Sequence, residues 1–172
     1  MKSTAIRHFL LTLLLAVVSS TVGAAEVKVL EVEDFSAIGQ VSDKQRLPIL
    51  LMFAADYCAY CEQLEEDFLK PMLRSGDYKD KVLIRKLRID GNGTIRDFEG
   101  AETSPAAIAE RYNVSLTPTV VFVDGKGVEL APKRIGLTTP AFYGGYLDDA
   151  ITQALDILRR NKPLRVKISA LD

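Results

Sequence analysis

Cys58 and Cys61 are the two cysteines of this chain, set two residues apart in Asp56-Tyr57-Cys58-Ala59-Tyr60-Cys61. Such a pair can serve as a redox dithiol, as half of a tetrahedral zinc site, or as a static disulfide. Zinc would need two further ligands, usually Cys or His, and the sequence offers no other cysteine and a single histidine, His8. As a staple the spacing is poor, because closing a two-residue loop removes little entropy from the unfolded chain. Thiol–disulfide exchange is the remaining use. A thiolate attacks a disulfide sulfur to form a mixed disulfide, and a second thiol releases it.

The flanking sequence positions the pair. Pro48 to Ala54 is a short continuous apolar run, the pattern of a strand buried on both faces of a sheet. From Glu62 to Arg74, Leu64, Phe68, Leu69 and Met72 recur at helical spacing, while Glu62, Glu65, Glu66 and Lys70 fall mostly on the opposite face. The cysteines therefore open a helix that follows a central strand. At a helix start the N–H groups lack intrahelical partners and the partial positive charge favours a thiolate, which lowers the pKa of the first cysteine. Cys58 is accordingly the nucleophile and Cys61 the residue that resolves the mixed disulfide. Within the long helical pattern, Pro71 removes one backbone hydrogen bond and is expected to kink or end the helix.

Of 172 residues, 1–25 have the pattern of a secretory signal: Lys2 and Arg7, an apolar stretch from Phe9 to Val18, and small residues at Val22-Gly23-Ala24-Ala25. The apolar stretch is too short to span a bilayer comfortably, so cleavage after Ala24 or Ala25 is expected, leaving one domain over residues 26–172. The net charge of −1 becomes two units more negative without Lys2 and Arg7, and there is no basic block, so neither nucleic acid nor an anionic membrane is an expected partner. His8 lies inside the signal. A mature chain without histidine excludes Cys-His proteases, Ser-His-Asp hydrolases and the usual His-containing metal sites. A lowered-pKa thiolate needs no imidazole base, and neither a metal nor a bound cofactor is expected.

Taken in order, Val27 to Val32 has weak strand character, and Asp34 caps a helix through Ile38 and Val41. After the strand ending at Ala54 and the cysteine helix, Ser75-Gly76-Asp77 forms a turn and Val82 to Ile89 a strand closed by Asp90-Gly91-Asn92-Gly93. Thr94 to Thr103 has no clear period and reads as a loop or small insertion. Thr103-Ser104-Pro105 caps a helix through Ile108, Ala109 and Tyr112. Thr117-Pro118-Thr119 precedes the buried strand Val120 to Val123, where a proline is out of place unless it makes a special turn, such as one with a cis bond. Asp124 to Gly127 is a hairpin turn into Val128-Glu129-Leu130, and Gly136 ends or bends that strand. Pro140 to Arg160 is a final helix with Leu147, Ile151, Leu155 and Leu158 on one face, stopped by Pro163.

This order of α/β elements, with C-x-x-C at a strand–helix junction and Thr117-Pro118-Thr119-Val120 downstream, resembles the thioredoxin superfamily over about Asp34 to Arg160. Within it the chain looks like the secreted bacterial SoxW-type thioredoxins. Asp90-Gly91, Asp97-Phe98-Glu99-Gly100, Ala109-Glu110-Arg111-Tyr112 and Thr117-Pro118-Thr119 carry that closer likeness. The resemblance implies the thioredoxin fold, a central mixed β-sheet flanked by helices. It implies that Pro118 sits beside the sulfurs, that the Thr117 backbone pairs with an extended substrate segment, and that a membrane protein supplies electrons. Three features depart from cytoplasmic thioredoxins: Tyr57 replaces a Trp, Ala59-Tyr60 replaces Gly-Pro, and Met52 stands where a buried acid assists proton transfer. Lys86 corresponds to a lysine that accompanies that acid, and without it is expected to be structural.

Asp56 and Glu62 place negative charge beside Cys58, which opposes the helix-terminus effect and favours a reducing or intermediate couple. Tyr57 and Tyr60 either cover the site and line a substrate groove or are plain surface aromatics. The expected activity is periplasmic reduction of disulfides in exported proteins. The alternatives are a disulfide oxidase or isomerase, and a redox-inactive binding module of the same fold.

Overall fold

The computed structural model describes residues 26–160; the expected signal and the tail around Pro163 lie outside the described residues. The fold grows from the apolar run at the centre of the chain. β2 (Ile49–Ala54) is buried at every position. On one side it pairs in parallel with β3 (Leu83–Arg88), which pairs in parallel with β1 (Leu30–Glu31). On the other side it pairs antiparallel with β6 (Thr119–Val123), which pairs antiparallel with β7 (Glu129–Ile135). The result is a mixed five-stranded sheet in the order β1-β3-β2-β6-β7.

Alternation along β2 divides the core in two, because successive side chains point to opposite faces. Leu50, Met52 and Ala54 face Cys61, Leu64, Leu69 and Met72 together with Tyr143, Leu147, Ile151 and Ala154. The latter four belong to α5 (Pro140–Arg160), whose bounds and apolar stripe match the sequence pattern. Ile49, Leu51 and Phe53 face the other way, toward Phe35, Ile38, Ile108, Ala109 and Tyr112. Those side chains come from α1 (Phe35–Gln45), from α4 (Pro105–Arg111) and from the C-cap of α4. Both helices are capped as their sequences require. Asp34 accepts from the Ala37 N–H, and Ser104 accepts from the Ala107 N–H with Pro105 in the first turn.

Two expectations need correction. The helix that opens at the cysteines runs past Pro71 to Ser75: α2 (Ala59–Leu64) passes through a π-helical turn (Glu65–Leu69) into α3 (Lys70–Ser75). The wider turn bonds the Lys70 N–H to the Glu65 carbonyl and leaves Pro71 in the first turn of α3, where a missing N–H is tolerated. The segment from Thr94 to Thr103 is a docked hairpin, β4 (Ile95–Arg96) against β5 (Glu102–Thr103). Its first strand bonds to Glu33 through the Arg96 N–H, and Phe98 packs on Phe35 with ring centres 4.9 Å apart.

Candidate active site

β2 and β6 bring the site together at one end of the sheet. β2 runs toward the cysteines and ends at Ala54, whereas β6 begins at Thr119, so the loop before β6 meets the start of α2. Cys58 is the N-cap of α2, with extended backbone, and its Sγ lies 3.2 Å from the Cys61 nitrogen as acceptor of that N–H. The two sulfurs are bonded, with Cα atoms 5.2 Å apart. Cys58 is half-buried and Cys61 is 4 % exposed, so Cys58 is the more accessible of the two residues.

Across from them the Thr117–Pro118 peptide bond is cis. The Thr117 hydroxyl lies 3.5 Å from Cys58 Sγ, within the longer hydrogen-bond range of sulfur. Pro118 is buried, and its carbonyl accepts from the Gly136 N–H at 2.7 Å, tying the loop to the end of β7. Cys58, Cys61, Thr117 and Pro118 are thus gathered at one point. Tyr57 and Tyr60 stand at its rim, Tyr57 fully exposed and Tyr60 64 % exposed. The Tyr57 backbone has φ +57°, a conformation uncommon outside glycine and often found at functional sites. The sequence carries no mark of it.

The charges around the pair differ from the simple count of Asp56 and Glu62. Asp56 accepts from Arg88 at 3.2 Å, and Arg88 also reaches Glu31 at 3.1 Å, so one guanidinium is shared by two carboxylates. Glu31, then Asp56, hold Arg88 above its ordinary range. The Asp56 backbone N–H in turn donates to Asp90 at 2.7 Å, which fixes the loop leading into the cysteines.

Beneath the sulfurs lies a cavity of about 170 Å³ lined by Cys58, Cys61, Met52, Glu65 and Lys86, with Asp56, Tyr57, Glu62 and Arg88 toward its mouth. Met52 provides no acid there, as read from the sequence, but Lys86 is not left alone. Its ammonium lies 2.8 Å from the Glu65 carboxylate, and the two side chains are only 21 % and 15 % exposed. The helical pattern groups Glu65 with the polar residues and does not show this ion pair. The available signal was its position four residues after Cys61, on the same face of the helix.

A mixed sheet with helices on both faces, a cysteine pair at the start of the helix after the central strand, and a proline loop opposite define a thioredoxin-fold dithiol protein. The chain belongs to the thioredoxin-like domain family, which matches residues 35–151. It is similar to the thioredoxin of Malassezia sympodialis (Mala s 13), with 20 % identity over 77 % of this chain and 98 % of that one and a TM-score of 0.51. It is also similar to mitochondrial thioredoxin 3 of Saccharomyces cerevisiae in its oxidised form, with 21 % identity over 70 % of this chain and 94 % of that one and a TM-score of 0.47. At its identity the Malassezia likeness speaks to the fold alone. The bonded cysteine pair in this fold supports thiol–disulfide exchange as the chemistry.

Proposed function

We propose that this protein is a reductase of disulfides in exported proteins, working in the periplasm as a secreted thioredoxin-like protein of the SoxW type. The observation that carries the reading is the bonded pair itself, with Cys58 half-exposed at a helix start and Cys61 buried behind it. In the reduced protein the Cys58 thiolate attacks one sulfur of a substrate disulfide, and the other substrate sulfur leaves as a thiolate. The Cys61 thiolate then attacks Cys58 Sγ, and the second substrate sulfur leaves. Two electrons have passed to the substrate, and the enzyme holds the Cys58–Cys61 disulfide.

Tyr57, Tyr60, Thr117 and Pro118 form the substrate contact in this reading. The Thr117 backbone pairs with an extended segment in the manner of an added strand, and the exposed tyrosine rings supply apolar area beside the reacting sulfur. Regeneration in an oxidising compartment requires an electron donor, for which a membrane dithiol protein is the proposed partner.

The reducing direction rests on charge. Cys58 has the helix start in its favour but no lysine, arginine or histidine between the cysteines, and Glu62 stands exposed next to Cys61. A less stabilised thiolate makes the dithiol the better reductant. The test has two parts. Replacing Cys58→Ser should abolish reduction of an insulin-type disulfide. Equilibration of the wild-type couple in thiol buffers should give a potential between about −270 and −180 mV, whereas a value near about −120 mV would make the protein an oxidant.

A further inference from the structure

The exchange described above leaves one proton unaccounted for. Cys61 must lose its thiol proton before it can attack the mixed disulfide, yet it is 4 % exposed and no histidine lies among the described residues. We propose that the Glu65 carboxylate, held by Lys86, takes that proton through solvent in the cavity beneath the sulfurs. The proposal rests on the dithiol reading and deepens it.

Three observations select Glu65. It lies one helical turn after Cys61: its backbone N–H bonds to the Cys61 carbonyl, and residues four apart share a helix face with Cβ atoms about 5–6 Å apart. It lines the same cavity as Cys61, whose volume of about 170 Å³ holds several waters at about 30 Å³ each. And Lys86 fixes it from the strand below, at the position paired with Met52 in the sheet register.

The other charged groups facing the cavity are placed differently. Asp56, from the loop before α2, is exposed and committed to Arg88. Arg88, from β3, is shared between Asp56 and Glu31 of β1. Glu62 is exposed and one residue from Cys61, about 100° away around the helix. Tyr57 is fully exposed at the rim.

The proton leaves Cys61 Sγ for a Glu65 carboxylate oxygen, the Cys61 thiolate forms a bond to Cys58 Sγ, and the Cys58–substrate bond breaks with its electron pair on the substrate sulfur. The proton on Glu65 passes to solvent or to the departing thiolate. Lys86 is a positioning residue, acting through Glu65.

Stopped-flow reaction of the reduced protein with one equivalent of dithiobis(nitrobenzoate) separates the steps. Attack by Cys58 releases the first thionitrobenzoate, and resolution by Cys61 releases the second. In Glu65→Gln the first release should keep its wild-type rate, while the second slows about tenfold or more at neutral pH. The deficit should narrow progressively as pH rises above about 9, as more of the Cys61 thiol ionises without the carboxylate. Glu65→Asp should recover part of the rate, and Lys86→Gln should give an intermediate deficit with the same pH profile. A second release that is unchanged in Glu65→Gln, or slowed equally at every pH, overturns the proposal. If the wild-type protein shows no first release, the dithiol reading itself fails, and this proposal with it.

Discussion

Two carboxylates, one on each side of the sheet, are drawn out of solvent beside a cation, and they are built to opposite ends. Asp97, in the hairpin that covers the α1–α4 face, accepts from the Glu99 N–H at 3.0 Å, the Ala101 N–H at 2.9 Å and Arg111 at 3.2 Å. Glu65, on the dithiol face, pairs with Lys86, and beside it lies the cavity that reaches Cys61. Asp97 has spent its acceptor capacity on holding a loop closed. Glu65 keeps capacity in reserve next to a group that must lose a proton. Burial and an ion pair alone do not separate a structural acid from a chemical one; the number of satisfied lone pairs and access to a reacting atom do.

The sharpest way to break this contrast is to exchange the consequences. Asp97→Ala should lower the thermal midpoint by several degrees, because it strands two N–H groups and frees Arg111. The potential of the Cys58–Cys61 couple and both thionitrobenzoate release rates should stay at wild-type values per folded molecule. Glu65→Gln should do the reverse, changing the second release and moving the midpoint little. A large fall in stability for Glu65→Gln, or a shifted potential for Asp97→Ala, would erase the distinction.

Acid unfolding resolves the same contrast more finely. Burial pushes the Asp97 carboxyl up, but the hydrogen bonds from Ala101, Arg111 and Glu99 outweigh it and hold the group below the usual carboxylate range. Because the folded pKa is the lower one, its contribution to stability is present above the unfolded value of about 3.9 and is lost as pH falls through the folded value. Urea midpoints for wild type should therefore drop between neutral pH and about pH 3, and part of that drop should be absent in Asp97→Asn. Identical pH slopes for the two proteins would show that Asp97 is not so held.

The elements that could be read from the sequence are those whose residues carry their own pattern. β2 is a run of six buried residues, α1 and α4 announce their caps, and α5 keeps its apolar stripe for 21 residues. The β4–β5 hairpin could not be read, because two-residue strands show no alternation and the fold of that segment depends on Asp97 and on docking to Glu33 and Phe35. Pro71, read as kinking or ending the helix, does not end it, because the π turn ahead of it lets the helix continue. The cysteines of the site were plain from spacing alone. Glu65 was not, since its meaning comes from a lysine 21 residues further along that only the sheet register brings beneath the helix.

A third buried polar group extends the series to zero partners and predicts the smallest effect. The Tyr143 hydroxyl lies in the core of the dithiol face with no hydrogen-bond partner among the described residues, and the side chain is 1 % exposed. Burial pushes its pKa up to about 12, against a weaker opposing pull from Arg134. A hydroxyl that satisfies nothing and meets no reacting atom contributes only its own desolvation, so Tyr143→Phe should be neutral or stabilising by up to about 1 kcal/mol, read as a rise in the urea midpoint. The ring's contact with Phe68, 5.4 Å between centres, survives the change. Loss of stability in Tyr143→Phe would mean that the hydroxyl is satisfied in solution, and partner number would no longer rank these three groups.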